Sequence, residues 1–255
     1  MLARRLAWLL PPLSETEAVE VGLIHAAGGL DRGIRSDRPF RSPHHTASRA
    51  ALVGGGSGVP VPGEVSLANH GLLFLDELAE FPRSHLDTLR QPLEDRSVVI
   101  ARRGMSIEFP SSFQLVAATN PCPCGFTGDS RKPCVCRPAA VSRYRQRISG
   151  PLLDRIDLTV KVGRVDAIEM AVEDTESSAV VRERIKKAAE FRSKRSDVMS
   201  TAASRLILRA LDSAFITARG AERTKRVART VADLALSEEV SENHVAEAMA
   251  LRGKW

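Results

Sequence analysis

The 255-residue sequence contains no run of about 18 or more uncharged apolar residues, which excludes a membrane-spanning helix of ordinary length. Its opening, MLARRLAWLLPPL, is too short in its apolar part for a secretory leader and has no small-residue cleavage site. A cytoplasmic location is therefore expected. There is no internal repeat and no low-complexity segment, so a repeat array is excluded. Also absent is a Gly-x-x-x-x-Gly-Lys-Ser/Thr phosphate loop. The run Gly54-Gly55-Gly56-Ser57-Gly58 imitates one, but no Lys-Ser or Lys-Thr follows it, and Pro60 and Pro62 prevent an immediate helix. Cysteine is confined to Cys122, Cys124, Cys134 and Cys136. In a reducing compartment such a cluster points to metal before disulfides.

A hydrophobic content of 43% is enough to bury a core in one large or two small domains. Lys and Arg number 37 against 31 Asp and Glu, a net charge of +6, which permits nucleic-acid or nucleotide partners without requiring them. Leu2 to Leu10 has helical periodicity stopped by Pro11 and Pro12, and Ser14 with Glu15 and Glu17 starts a second helix running to about Ala27. RPFRSPHH reads as a short strand, and LVGGGSGVPVPGEVSLA as a loop or hairpin insertion. GLLFLDELAEF reads as a strand buried on both faces, with a helix following over about Ser84 to Leu93. RSVVIARRGMSIEF reads as a β-hairpin, SSFQLVAATN as a second buried strand, and VSRYRQRISGPLLDRIDLTVKVG as a short helix and another strand. After about Asp166 the pattern is wholly helical. Interleaved strands and helices followed by helices alone predict an α/β domain over 1–165 and a small helical domain over 166–255.

Asp76 and Glu77 stand where the LLFL strand ends. A nucleotidase needs such a pair, one carboxylate to hold Mg²⁺ and its water and the other to polarise the attacking water. A strand ending in a solvated acidic turn gives the same pattern. Asn120 ends VAATN, where an amide can fix a water against the terminal phosphate or simply serve the turn before Pro121. The paired C-x-C spacing of Cys122, Cys124, Cys134 and Cys136 suits a tetrahedral Zn²⁺ stapling a loop, with reduced structural thiols as the alternative. His44 and His45 project in divergent directions and have no acidic partner close in sequence, so a loop or subunit-contact role is read for them.

These residues, with LLPPLS, FRSPHHT, GEVSLANHGLLFLDEL, PLED, AATNPCPCG, CVC, YRQRISGPLLDRIDL and VARTVADL, resemble the AAA+ family along nearly the whole chain. Within it they are similar to the magnesium-chelatase-like ATPases of the ComM/YifB type. The resemblance implies a P-loop NTPase-type parallel sheet followed by a helical lid, hydrolysis of ATP with Mg²⁺, a hexameric ring, and action on DNA during recombination. It implies Walker B roles for Asp76 and Glu77, sensor 1 for Asn120, the arginine finger for Arg155 and sensor 2 for Arg219. A guanidinium stays charged and forked, as a contact to a γ-phosphate requires. A local salt bridge from Arg155 to Asp154 or Asp157, and a solvated Arg219, are the plainer readings.

The resemblance further implies that the hairpin near Arg102 is an insertion before sensor 1 and that Gly54 to Glu64 is another, with Arg102 and Arg103 at a tip able to meet DNA phosphates. The basic run from Arg182 to Arg195 reads instead as a solvated helix face. A phosphate loop ending Gly-Lys-Thr is implied just before the segment that here begins MLARRL. The expectation is thus a module without its first strand and inactive by itself. The rival expectations are a non-catalytic remnant or ring partner donating only Arg155, and a magnesium chelatase subunit for tetrapyrrole metal insertion.

Overall fold

The computed structural model describes residues 2–56, 58–102, 104–129, 131–163, 176–193 and 198–252. The chain divides into two compact units, Met1–Arg155 and Ile156–Trp255. The expected division at 165/166 lies outside the described residues. Among the described residues no helix is long and apolar enough to cross a membrane.

The first unit opens with α1 (Leu2–Leu9) and α2 (Glu15–Ala27). The start of α2 is closed reciprocally: the Ser14 hydroxyl accepts from the Glu17 N–H while Glu17 accepts from the Ser14 N–H. This satisfies two backbone donors that a helix start would otherwise leave open. Its Ala18, Val21, Ile24 and His25 are buried, one face at helical spacing.

The sheet is parallel, with β1 (Phe40–Arg41), β4 (Leu72–Leu75) and β7 (Gln114–Ala117) in the order β1-β4-β7. Leu72 pairs with Phe40 on one side and Gln114 on the other. Leu72, Leu73 and Leu75 are at most 1% exposed, so the continuous apolar run reports burial on both faces, as the sequence predicts. Gly71 is needed for this approach, because a Cβ there would stand 2.1 Å from the Pro39 carbonyl oxygen.

Around the sheet lie α3 (Arg49–Val53), the pair β2 (Gly54–Gly55) and β3 (Val61–Pro62), and α4 (Glu64–Leu67). The glycine run is thus a hairpin, as expected. The helix expected over Ser84 to Leu93 is instead α5 (Arg83–Asp87) and α6 (Arg90–Asp95). Pro92 explains the break: it is tolerated in the first turn of a helix, but inside a longer one its ring would clash with the Thr88 carbonyl. The predicted hairpin is β5 (Ser97–Arg102) with β6 (Met105–Pro110), and α7 (Pro138–Arg145) and α8 (Gly150–Leu153) complete the unit.

The second unit contains α9 (Ser178–Arg192), β8 (Val198–Met199), α10 (Thr201–Asp212), α11 (Ala218–Leu234), β9 (Glu239–Val240) and α12 (Glu242–Ala250). Its core includes Ala203, Ala210, Ala221, Ala228, Ala232 and Ala248 beside Ile207, Val240 and Val245. Two expectations are corrected. The region is not wholly helical, since β8 and β9 pair in parallel; strands of two residues carry no periodicity to read. The strand expected within VSRYRQRISGPLLDRIDLTVKVG is only a bridge from Thr159 to Arg252 among the described residues, and Val160 and Val162 are exposed. On α11 the buried stripe runs through Ala221, Thr224, Ala228 and Ala232. A buried ion pair joins Arg229 to Asp233 at 3.0 Å, with Arg229 also donating to the Ser237 and Glu238 carbonyls.

Candidate functional site

The three parallel strands end at the same edge of the sheet, the place where open α/β sheets bind ligands. β4 delivers Asp76 and Glu77 there, and β7 delivers Asn120 three residues past its end. The two ends are stitched together beyond the strands by Ala118 N–H donating to the Leu75 carbonyl (3.0 Å) and Leu78 N–H to that of Ala118 (2.8 Å). Asp76, Glu77 and Asn120 are all exposed.

Glu77 sits in the left-handed region, φ 50° and ψ 48°, and its N–H is accepted by Asp76 Oδ1 at 2.9 Å. A non-glycine residue in this region is uncommon and is tolerated where the surroundings fix it.

β1 contributes to the same edge a residue that the sequence reading placed elsewhere. His45 Nδ1 lies 3.2 Å from Glu77 Oε2. The sequence reading finds no acidic partner close in sequence, and none is: the partner comes from beyond the neighbouring strand, where no local spacing signals it. The FRSPHHT block opens with β1, which pairs with the LLFL strand, and His45 follows four residues past its end.

Arg155 pairs with an acid other than the two that the sequence reading offers as its local partners. Its Nη2 pairs with Glu94 Oε1 at 2.6 Å and its Nη1 donates to the Pro151 carbonyl at 2.6 Å, with the side chain 7% exposed. The local partner is thus Glu94 of α6, and neither Asp154 nor Asp157. Its Nε is buried with no hydrogen-bond partner. Asp157 pairs instead with Arg223 at 2.9 Å within the second unit. Arg219 is exposed in the first turn of α11. Arg102 is exposed at the end of β5, beside the hairpin tip, and Arg103 lies outside the described residues.

Beyond Asn120 the chain folds the four thiols together. Cys122, Cys124, Cys134 and Cys136 place their sulfurs within 4.8 Å of one another, with Cys122 buried. Cys122 to Cys124 is 3.4 Å, Cys122 to Cys134 is 3.7 Å, and Cys124 to Cys134 is 3.6 Å. All four are free, and these separations far exceed a disulfide bond of about 2.05 Å. They match the edge of a tetrahedron around Zn²⁺, which for Zn–S of about 2.3 Å is roughly 3.8 Å. Gly125, at φ 81°, makes the turn that brings its N–H to the Cys122 carbonyl.

Burial raises the Cys122 thiol, but hydrogen bonds from the Thr127 side chain and backbone outweigh it and bring it down to about 5. Backbone N–H groups of Phe126 and Val135 lower Cys124. Hydrogen-bonded to Cys124, Cys136 is pushed up to about 12, because it keeps the proton that its neighbours give up. A depression of about 700 Å³ opens beside Cys134 and Cys136, giving an ion a way in.

The family model described as magnesium chelatase, subunit ChlI, matches residues 1–170, and that described as magnesium chelatase, subunit ChlI C-terminal, matches residues 175–252. An uncharacterized protein of Mycobacterium tuberculosis is 43% identical over 274 residues, covering 99% of this chain and 54% of its own length. Competence protein ComM of Haemophilus influenzae is 39% identical over 272 residues, and the uncharacterized protein YifB of Escherichia coli 39% over 273; each aligns with 99% of this chain and 53% of its own length. The chain therefore spans about half the length of the curated relatives it matches.

Proposed function

This chain belongs to the magnesium chelatase ChlI family and its ComM/YifB branch, a family of AAA+-like ATPases, and on that premise we propose that its strand-end residues are the water-activating half of an ATP-hydrolysing centre. The observation that carries the reading is the convergence of Asp76, Glu77 and Asn120 at one edge of a parallel sheet. Asp76 would hold Mg²⁺ through water, and its Oδ1, already accepting the Glu77 N–H, keeps the turn in place. Bound there, Mg²⁺ supplies charge neutralisation at the phosphates. Glu77 takes the proton of the attacking water, and Asn120 orients that water. Residues 1–255 contain no Gly-x-x-x-x-Gly-Lys-Ser/Thr.

Further parts of the reading are Arg155 acting on a neighbouring subunit's nucleotide in a ring and Arg219 on the bound nucleotide, in a core of residues 1–165 with a lid of 166–255. DNA is the proposed substrate, in recombination. The relative named a competence protein supports it, as does the net charge of +6, and Arg102 and Arg103 would meet the phosphates. Zn²⁺ held by Cys122, Cys124, Cys134 and Cys136 would be structural, four thiolates closing the site to substrate. The alternative of magnesium chelation is favoured only by the description of the family model.

The test is ATP turnover by these residues preceded by a phosphate-binding strand and a Gly-Lys-Thr loop. Glu77→Gln is expected to keep ATP bound and lower turnover by about a hundredfold or more, the range of general-base catalysis. Turnover that survives Glu77→Gln at the parent rate would remove this carboxylate from the mechanism.

A further inference from the structure

Between Pro121 and Arg137 the chain has almost nothing apolar to fold around. Among the described residues of this stretch only Cys122 is buried, and Val135 is 82% exposed. Its turns are closed locally: Gly125 N–H donates to the Cys122 carbonyl, Asp129 N–H to that of Phe126, and the Arg131 and Lys132 N–H groups to Asp129 Oδ1. Local turns do not join the two ends of a loop. Four thiols do so poorly, since S–H is a weak donor and thiolates at these separations repel one another. A cation shared by all four sulfurs removes both defects.

The same stretch begins at Asn120. This residue is exposed, and among the described residues its side-chain amide makes no hydrogen bond, so only what it packs on restricts its rotation. What it packs on is the cysteine turn: the position of a Cβ on Gly125 lies 3.8 Å from Asn120 Oδ1 and 3.9 Å from its Cγ, ordinary contact distances. Pro121 alone separates Asn120 from Cys122. Its ring fixes its own φ and disfavours helical backbone at Asn120, which makes the connection a stiff arm. After the last cysteine, α7 turns back on that arm. Arg145 Nε donates to the Pro121 carbonyl at 3.4 Å, and the buried Tyr144 is hydrogen-bonded to the Thr119 side chain.

We propose that the four cysteines, closed on Zn²⁺, are positioning residues for Asn120, so that ATP turnover depends on the filling of a thiolate site outside the nucleotide centre. This deepens, and rests on, the readings of Asn120 as the water-orienting amide and of the cysteines as a Zn²⁺ site. Cys122 and Cys124 bracket the turn on which the amide lies, and Cys134 and Cys136 lead into the helix that grips Pro121. Cross-linking the two pairs fixes arm and turn together. Emptying the site frees both, and Asn120 then loses the only contact that orients its amide. The cysteines act on the reaction through Asn120. Positioning of this kind lowers the barrier without adding binding energy, so its loss shows in kcat and not in KM.

Two measurements test the proposal. In the 255-residue chain, the side-chain NH₂ of Asn120 is followed by NMR and assigned by its disappearance in Asn120→Ala. Removal of Zn²⁺ with a chelator is expected to shift this signal while the methyl resonances of Leu73 and Leu75 stay in place, and return of Zn²⁺ to restore it. An amide signal unmoved by removal overturns the proposal, as does a chain that binds no Zn²⁺. Movement of the Leu73 and Leu75 methyls overturns it too, since the ion would then hold the sheet and not Asn120 in particular. In the form preceded by a phosphate-binding strand and Gly-Lys-Thr loop, protein freed of Zn²⁺ and then of chelator is given Mg²⁺ and ATP. Its kcat is expected to be about tenfold lower, with KM for ATP changed by less than about twofold. In Asn120→Ala, removal of Zn²⁺ is expected to cause no further loss, because effects routed through one residue do not add. A further tenfold loss in that variant, an unchanged kcat in the parent, or a change carried mainly by KM overturns the proposal. Asn120→Ala also separates the two layers: if it turns over ATP at the parent rate, the Asn120 assignment fails, whereas a slow Asn120→Ala beside a parent indifferent to Zn²⁺ defeats only the coupling.

Discussion

At the scale of single residues, chemistry and placement separate cleanly. Asp76, Glu77 and Asn120 were legible because each ends an apolar run, and the end of a buried strand is where an α/β sheet meets its ligand. His45 was not legible, because its partner Glu77 is supplied by a neighbouring strand and adjacency of two histidines carries no information about what they face. The pairing of Arg155 with Glu94 escaped for the same reason, the nearer acids Asp154 and Asp157 being the natural local choice. His25 carries a consequence for stability. It is buried against α4, with Nε2 2.8 Å from the Leu67 carbonyl oxygen, and burial lowers its pKa below the usual 6.5 despite that hydrogen bond. The folded protein then binds fewer protons than the unfolded chain just below pH 6.5, so stability is lost as pH falls from there toward the folded value and is unaffected above it. Urea midpoints are expected to fall more steeply between pH 7 and 5 for the parent chain than for His25→Gln, by no more than about 1.4 kcal/mol per pH unit. Parallel pH profiles would show that His25 does not report the fold.

At the scale of elements, long periodic segments were readable and short ones were not. The α2 helix, the β4 strand and the β5/β6 hairpin follow from capping, continuous apolarity and alternation, respectively. The break between α5 and α6 follows from Pro92, whose effect depends on where the helix starts and so could not be fixed from a propensity alone. The pair β8/β9 has no pattern to detect, since parallel pairing joins residues some forty positions apart by only two on each strand. The loop from Cys122 to Cys136 is an element of another kind, with Cys122 its one buried cysteine and three sulfurs at tetrahedral spacing. Metal analysis of the purified chain is expected to find about one Zn²⁺ per chain. The simultaneous change of Cys122, Cys124, Cys134 and Cys136 to Ser is expected to remove it. A quadruple variant keeping the full metal content of the parent would place the metal elsewhere.

At the scale of the whole molecule, the proposed centre is divided between chains, with Glu77 supplied by one and Arg155 by the next. In the single chain Arg155 is 7% exposed and paired with Glu94, so action on a neighbour requires Glu94 to release it. That exchange would make turnover depend on assembly, because a guanidinium engaged within its own chain cannot neutralise charge on another chain's phosphate. The most direct measurement mixes two inactive proteins, Glu77→Gln and Arg155→Ala, each preceded by a phosphate-binding strand and loop. ATP turnover is followed across mixing ratios. The account predicts that neither protein alone turns over ATP above background. It predicts that mixtures recover activity, greatest near equal amounts, where an intact Glu77 meets an intact Arg155. Absence of recovery at every ratio, with mixed assemblies formed, would contradict the division of one centre between two chains.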